Sequence, residues 1–163
     1  MRIRAIEEKD NFIIADIIKR VLIEFKADPK TTFLGDPAIN TMYYNYQTPK
    51  SVYYIIEEND QVMGGCGINL LDEGDSKTCE LQRMFLLPES RGKGYGKLLM
   101  DACINKAIEF GFDEIYLESL TQMTGAIKLY ERSGFQYIKN PKGNTGHGGC
   151  NVFMVLDLKT KEV

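Results

Sequence analysis

The chain has 163 residues, of which 44% are hydrophobic and 26% charged, a composition typical of a globular protein with one core. A formal net charge of −3 and the lack of a strongly basic block argue against a nucleic-acid partner. The sequence shows neither a signal peptide nor an apolar run of membrane-spanning length, so we expect a cytoplasmic protein without a membrane partner.

The first fifty residues predict one strand and two helices. Residues 1–6 alternate apolar and charged side chains, which favours a strand. Residues 10–26 carry apolar side chains at helical spacing, with charged side chains on the opposite face. Asp36 and Pro37 are typical of the start of a second helix, where aspartate caps the first turn and proline takes the first helical position.

The middle of the chain predicts three consecutive strands. Three β-rich runs are separated by short polar turns, and they cover residues 51–57, 61–71 and 77–87. Such short connections make an antiparallel meander the simplest arrangement. Gly64, Gly65 and Gly67 weaken the second run, so we expect a bend there or the close approach of another backbone.

The second half alternates helix and strand. Helices are predicted at residues 98–110 and 124–133, and strands at residues 114–118, 135–138 and 151–158. Because a helix joins the strand ending near residue 87 to the strand at 114–118, those two strands should run parallel. A glycine-dense loop, residues 140–150, separates the last two strands. It holds the single histidine, His147, which we leave outside the predicted site.

A short glycine-rich loop separates the third strand of the meander from the following helix. Residues 91–97 read Arg-Gly-Lys-Gly-Tyr-Gly-Lys. Alternating glycines let the backbone turn tightly, and the first N–H groups of a helix lack helical partners and carry partial positive charge. We therefore expect a phosphate or pyrophosphate ligand here. The spacing fits neither the Walker pattern nor the dinucleotide fingerprint.

Two motifs resemble the GNAT superfamily of acetyl-CoA-dependent N-acetyltransferases. Residues 91–96 fit the family's Arg/Gln-x-x-Gly-x-Gly loop, and residues 126–135 fit its Ala-x-x-Leu-Tyr-x-x-x-Gly-Phe helix. The resemblance covers most of the chain and is weakest before about Ser51. It implies a single N-acetyltransferase domain over residues 1–163. The implied fold is α/β with a mixed sheet of about six to seven strands, an antiparallel meander followed by a parallel pair, flanked by about four helices.

The resemblance also implies a reaction and a cofactor site. An acetyl group passes from acetyl-CoA to a primary amine by direct attack in a ternary complex, with no metal ion. The pantetheine arm lies against the backbone of Met84, Phe85 and Leu86. The pyrophosphate lies on the loop formed by Arg91, Gly92, Lys93, Gly94, Tyr95, Gly96 and Lys97.

Three side chains are candidates for proton transfer. An amine of the lysine type has a reference pKa of about 10.4, so a general base is useful near neutral pH, and Glu80 and Glu118 are both eligible. Tyr130 matches the family's tyrosine, which protonates or hydrogen-bonds the leaving thiolate. One departure is Met123, where the family often has asparagine; neighbouring Gln122 could replace that contact.

Several alternatives stay open at this point. A non-catalytic acyl-CoA-binding or sensor domain of the same fold competes with the enzyme, and a longer acyl group competes with acetyl. The acceptor could be a small molecule or a peptide amine, and the protein could form a homodimer. The cysteines are scattered without metal-ligand spacing, so we expect reduced thiols at Cys66, Cys79, Cys103 and Cys150.

Overall fold

The structure, a computed structural model, describes residues 1–146 and 148–161, so His147 lies outside the described residues. One seven-stranded sheet is built from β1 (Arg2–Ala5), β2 (Val52–Glu58), β3 (Gln61–Leu70), β4 (Thr78–Leu86), β5 (Glu114–Ser119), β6 (Gln136–Tyr137) and β7 (Val152–Asp157). The α-helices are α1 (Asn11–Glu24), α2 (Met42–Asn45), α3 (Tyr95–Glu109) and α4 (Thr124–Arg132). Short 3₁₀ helices lie at Glu8–Asp10, Phe33–Gly35, Pro37–Thr41, Pro88–Ser90 and Lys159–Lys161.

The strand order is β1-β2-β3-β4-β5-β7-β6. Neighbouring strands pair antiparallel except β4 and β5, which run parallel. This confirms the predicted meander followed by a parallel pair, because α3 provides the crossover connection that parallel strands require. The mixed α/β fold with four flanking helices is likewise confirmed.

Two helix starts differ from the sequence prediction. α3 begins at Tyr95, three residues before the predicted start, because its first turn contains Gly96 and Lys97, which add nothing to the apolar stripe. The predicted helix after Asp36 begins as the 3₁₀ helix, and the Asp36 side chain accepts a hydrogen bond from the amide of Ala38 at 2.9 Å. None of the described helices has both the length and the apolar character needed to cross a bilayer.

β4 and β5 pair over only part of their length. Thr78–Glu80 of β4 lies opposite Glu114–Tyr116 of β5, whereas the strands continue to Leu86 and Ser119. No further β4–β5 pair occurs in the described part of the chain. The middle of the sheet therefore opens at the carboxyl ends of these two strands.

A β-bulge in β4 lies beside this opening. Gly67 of β3 pairs with Gln82 and Gly65 pairs with Phe85, so one intervening residue on β3 faces two on β4. Arg83, one of the two, has a φ of 53°, in the left-handed region that non-glycine residues rarely adopt. A bulge bends its strand and increases the local twist, which turns β4 away from β5.

The ring of Tyr53 supports the bulge. Its hydroxyl donates a hydrogen bond of 2.8 Å to the carbonyl of Arg83. The ring crosses β3 at two glycines, where an added Cβ would lie 2.5 Å (Gly65) or 2.6 Å (Gly67) from ring carbons. The close approach predicted at these glycines is therefore made by an aromatic ring. At Gly64 it is made by the backbone of β4, since an added Cβ would lie 2.1 Å from a carbonyl oxygen.

The bulge also determines which side chains of β4 share a face of the sheet. The face covered by α3 and α4 receives Cys79, Leu81, Met84 and Leu86. The face covered by α1 and α2 receives Phe85, and Gln82 reaches Tyr46 on the same side. The sheet thus separates two apolar cores, and the opening between β4 and β5 connects them.

Candidate active site

Two adjoining cavities occupy the opening between β4 and β5. The groove, with a volume of about 330 Å³, is bounded by residues of the ranges 84–86, 90–97 and 123–132. The second cavity, called the pocket, adjoins the groove and is lined by residues that include Arg83, Glu118, Tyr130 and Cys150. The cavities share Met84, Phe85 and Met123 as lining residues, so they adjoin along these three side chains.

The loop before α3 forms one wall of the groove through its backbone. Gly92 and Gly94 have φ values of 77° and 80°, which glycine adopts without the penalty that a side chain brings. Gly94 immediately precedes α3. The amides of Tyr95, Gly96 and Lys97 have no acceptor within the described residues, as is usual for the first turn of a helix. These amides suit an anion.

The three cations of this loop are each paired with a carboxylate. The pairs are Arg91–Glu24, Lys93–Glu58 and Lys97–Asp101, with N–O distances of 2.7, 3.0 and 2.5 Å. Arg91 also donates to the carbonyl of Leu86 at 3.0 Å, and the Tyr95 hydroxyl donates to Glu58 at 2.6 Å. Lys93 lies on the loop without lining the groove. Backbone amides are therefore the loop's main uncommitted donors.

Glu80 lies on β4, on the face covered by α1 and α2, and is only 4% exposed. Gln82 donates its amide to Oε2 of Glu80 at 2.7 Å, and the Gln82 carbonyl oxygen accepts from the Tyr46 hydroxyl at 2.7 Å. Burial raises the pKa of Glu80 to about 7, against the lowering effect of the Gln82 hydrogen bond, and the Glu118 charge adds to the rise. The carboxyl therefore titrates near neutral pH.

Glu118 lines the pocket directly. Its Oε2 accepts from the Tyr116 hydroxyl at 2.6 Å and its Oε1 accepts from Thr145 at 2.8 Å. Tyr116 is the β5 partner of Glu80 in the parallel ladder, so Glu80 and Glu118 belong to one polar cluster on the same face. Burial, followed by the hydrogen bond to Glu118, raises the pKa of Tyr116.

Two described residues of the loop at 140–150, Asn144 and Gly149, are held by backbone hydrogen bonds to other parts of the chain. The amide of Asn144 donates to the carbonyl of Asp72 at 2.8 Å, and that of Gly149 donates to Thr31 at 3.1 Å. The loop ends at Cys150 in the pocket wall. Burial raises the pKa of the Cys150 thiol to about 12, so the thiol stays protonated at neutral pH and is a poor nucleophile.

Tyr130 reaches the pocket from α4, on the opposite face of the sheet from the carboxylates. The side chain is 6% exposed and packs edge-on against Phe135 at 5.9 Å. Within the described residues its hydroxyl donates no hydrogen bond, so the proton is available to a ligand in the pocket. Burial raises the pKa of Tyr130, and the nearby thiols of Cys66 and Cys150 add to the rise.

The family model described as Acetyltransferase (GNAT) family matches residues 21–135. The chain belongs to the GNAT family. A protein of Escherichia coli (strain K12) named Uncharacterized N-acetyltransferase YjgM is 39% identical over 157 residues, which are 95% of this chain and 93% of that protein. The family and such relatives make the chain an acyltransferase.

Solved structures share the GNAT fold at low sequence identity. A GNAT-family acetyltransferase from Staphylococcus aureus Mu50 has a TM-score of 0.83 at 22% identity, covering 96% of this chain and 98% of its own. The structure of yncA from Salmonella typhimurium with its cofactor acetyl-CoA has a TM-score of 0.79 at 22% identity, covering 97% and 94%.

Most of the residues predicted for the GNAT site meet at the two cavities. Residues 84–86 and most of the loop line the groove, and Glu118 and Tyr130 line the pocket, whereas Glu80 and Lys93 line neither cavity. Gln122 is an exception, because its amide donates to the carbonyl of Phe25 at 3.3 Å and it lines neither cavity. Met123 lines both. Among the described residues, no group of three or more potential ligands is placed to hold a metal ion.

Sequence reasoning did not place at the site Arg83 and Cys150, which line the pocket, or Tyr116 and Thr145, which hydrogen-bond Glu118. Arg83 carried a signal, since an arginine inside the apolar run at residues 81–87 is unusual in a buried strand. Tyr116 alternates with Glu118, which also placed both on one face. Thr145 and Cys150 had no local signal, because a glycine-rich loop does not reveal what it contacts.

Proposed function

We propose that this GNAT enzyme transfers an acetyl group from acetyl-CoA to a primary amine, by direct attack of the amine on the thioester in a ternary complex. The observation that carries the proposal is the junction at Met84 and Phe85, where the groove meets the pocket. One cavity offers amides to an anion, and the other offers carboxylates and a tyrosine hydroxyl. The acetyl-CoA in the related yncA structure supports this use of the fold.

The groove suits two parts of acetyl-CoA, the pyrophosphate and the pantetheine arm. The amides of residues 94–97 would hold the pyrophosphate, and Arg91 lies beside them. The β5 side of β4 beyond Glu80 has no strand partner in the described residues, so the backbone of Met84 and Phe85 is open to an extended pantetheine arm. The carbonyl of Leu86 accepts from Arg91, so a contact of the arm with this carbonyl would replace the Arg91 hydrogen bond. An amide of this segment facing the thioester oxygen would stabilise the negative charge that develops during attack.

In this proposal one glutamate binds the acceptor amine and the other accepts its proton. Glu118 lines the pocket and contacts the acceptor in its ammonium form. Glu80 takes the proton, directly or through a water molecule, because its raised pKa of about 7 lies near the operating pH of a general base. The Tyr46–Gln82 hydrogen bonds hold Glu80 in position.

Tyr130 acts on the leaving thiolate in this proposal. Reference pKa values of about 8.5 for a thiol and 10 for tyrosine make complete proton transfer uphill by roughly 2 kcal/mol. Burial raises the pKa of Tyr130 further, which makes complete transfer less favourable. The hydroxyl therefore stabilises the thiolate mainly as a hydrogen-bond donor, and solvent provides the final proton.

The remaining parts of the proposal concern the whole chain. Residues 1–163 function as one N-acetyltransferase domain in the cytoplasm, and acetyl-CoA is a co-substrate that needs no metal ion. A homodimer stays a prediction, to be checked by sedimentation. The non-catalytic acyl-CoA-binding domain is the alternative, and the first experiment below separates it from the enzyme.

The test combines calorimetric titration with a thiol-release assay on a panel of primary amines. We expect acetyl-CoA and CoA to bind in the micromolar range, ATP not to bind, and at least one amine to release CoA thiol. Binding without thiol release from any amine would favour the sensor domain. Failure to bind CoA would overturn the proposal altogether.

A further inference from the structure

Arg83 places a positive charge in the pocket that acetyl transfer itself does not require. Its side chain is 10% exposed and lines the cavity together with Glu118 and Tyr130. We propose that Arg83 binds a carboxylate of the acceptor, so that the acceptor is a primary amine with a carboxylate close to its nitrogen, as in a free amino acid. The inference rests on the proposed function and deepens it.

The bulge fixes the position of this charge. The left-handed φ of 53° places Arg83 at the extra position of β4, and the Tyr53 hydroxyl holds its carbonyl. The guanidinium lies against Sδ of Met42 at 3.4 Å. A guanidinium held in this way loses little conformational entropy on binding, and its planar donors match a carboxylate in two-point contact.

The charges of the pocket suit a zwitterion. Among the described residues that line it, Arg83 and Glu118 are the ones with full charges, and they have opposite signs. An ammonium group at Glu118 and a carboxylate at Arg83 satisfy both at once. A polyamine or a lysine side chain offers no anion to Arg83 and would bring further positive charge near it, which is unfavourable.

A purely structural role for Arg83 makes a different prediction. Its ion pair with Asp36 spans 3.9 Å, and the Asp36 side chain is 40% exposed, so the pair is long and solvated. If Arg83 acted only through this ion pair, Asp36→Asn would reproduce the loss seen on replacing Arg83. Asparagine can accept the same capping hydrogen bond at the start of the following 3₁₀ helix, so this variant removes the charge of Asp36 while keeping the cap.

The test compares matched acceptors that differ only in the carboxylate, such as phenylalanine with phenethylamine and methionine with 3-(methylthio)propylamine. We expect the wild-type enzyme to prefer the amino acid of each pair. On the alkaline plateau of the pH profile, Arg83→Gln should lower kcat/KM for the amino acids by about 30-fold or more, mainly through KM, and change the decarboxylated amines by less than about threefold. The plateau is used because the Arg83 charge lowers the pKa of Glu80, and its removal would affect both acceptors near neutral pH. Arg83→Lys should lie between.

Two control variants and a binding measurement complete the design. Asp36→Asn and Arg20→Gln, which removes an exposed arginine of α1, should keep the preference for the amino acid. The amino acid should also raise the unfolding temperature of the wild-type CoA complex and not that of the Arg83→Gln complex. This readout does not depend on turnover, and it shows whether the variant folds.

The outcomes separate this inference from the proposed function. Equal or better acetylation of the decarboxylated amines by the wild type would overturn the carboxylate site and leave the acetyltransferase intact. Equal losses on both acceptors of a pair in Arg83→Gln, reproduced by Asp36→Asn, would assign Arg83 a structural role. CoA binding without thiol release from any amine would overturn the proposed function itself.

Discussion

The groove and the pocket share Met84, Phe85 and Met123 but are built in different ways. The groove relies on backbone amides and on glycines within seven consecutive residues, and the three cations of that loop are already paired with carboxylates. The pocket relies on side chains from α1, β4, β5, α4 and the loop at 140–150. Two of its titratable groups, Tyr130 and Cys150, have raised pKa values because they are buried.

This difference separates two kinds of recognition. A backbone site can hold a constant ligand, because it depends on chain conformation and little on side-chain identity. A side-chain site can select between acceptors and move protons, because each group can be replaced and tuned. We therefore expect pocket variants to change rate and pH dependence, and groove variants to change cofactor affinity.

Glu80→Gln should produce the largest effect. Wild-type kcat/KM should rise with pH through about 7, because the base acts after losing its proton. The variant should lose this rising limb of the pH profile, and its kcat/KM should be about 100-fold lower than that of the wild type at pH 8. Glu118→Gln should move the limb to lower pH, since removing the neighbouring charge lowers the pKa of Glu80. A limb that persists in Glu80→Gln would assign the base elsewhere.

The same variant should be more stable than the wild type at alkaline pH, although it is less active. The pKa of Glu80 is about 7 in the folded protein against its usual 4.5, so the folded state retains a proton that the unfolded state releases. The contribution of Glu80 to stability therefore falls as pH rises from about 4.5 to 7. Urea unfolding should show Glu80→Gln more stable at pH 8, on the order of 3 kcal/mol, with no such gain at pH 4.

Tyr130→Phe should rank second. Losing a hydrogen bond to a developing thiolate should lower kcat about 30-fold, while calorimetry should show nearly unchanged affinity for CoA. Tyr137→Phe is the matched control, because this exposed tyrosine donates to Glu131 outside both cavities. Unchanged turnover in Tyr130→Phe would remove the role proposed for this residue.

Gly94→Ala should test the backbone character of the groove. A side chain at a φ of 80° costs roughly 1–2 kcal/mol and shifts the amides, so the Kd for CoA should rise about tenfold. Gly111→Ala introduces a similar strain at a φ of 85° just after α3, and should reduce stability without changing the Kd. Equal affinities in the two variants would mean that side-chain charges hold the cofactor.

Glu58→Gln should give the smallest effect. Glu58 engages both Lys93 and Tyr95, so its neutralisation should free a cation for phosphate and lower the Kd for CoA about threefold at low salt. Glu109→Gln, which removes the partner of Lys106 at the far end of α3, should leave the Kd unchanged. Weaker binding in Glu58→Gln would mean that the carboxylate positions the loop.

The elements and the loop could be predicted because their signals are local. Residues 10–26 repeat apolar side chains at helical spacing, and the loop is read from seven neighbouring residues. The antiparallel meander followed from turns too short for any other connection. The start of α3 was misplaced because Gly96 and Lys97 resemble loop residues.

The pocket could be predicted only in part. Glu118 and Tyr130 came from the family resemblance and Glu80 from the need for a general base, but their environments depend on distant contacts. The pKa of Glu80 depends on burial beneath α1 and α2, which are distant in sequence. One hydrogen-bond partner of Glu118, Thr145, lies on the loop at residues 140–150. The bulge was not predicted, because a positive φ at a non-glycine residue such as Arg83 has no signal in the local sequence.

The extra residue in β4 has a consequence for changes in chain length. Deleting Arg83 alone would leave Leu81, Gln82, Met84 and Phe85 on their present faces, because it restores one-to-one pairing with β3. Removing Glu80 instead would force Leu81 and Gln82 to exchange faces before the strand comes back into register. The extra residue therefore gives β4 a position that a deletion can remove while the flanking side chains keep their faces, with loss only of the bend that a bulge produces.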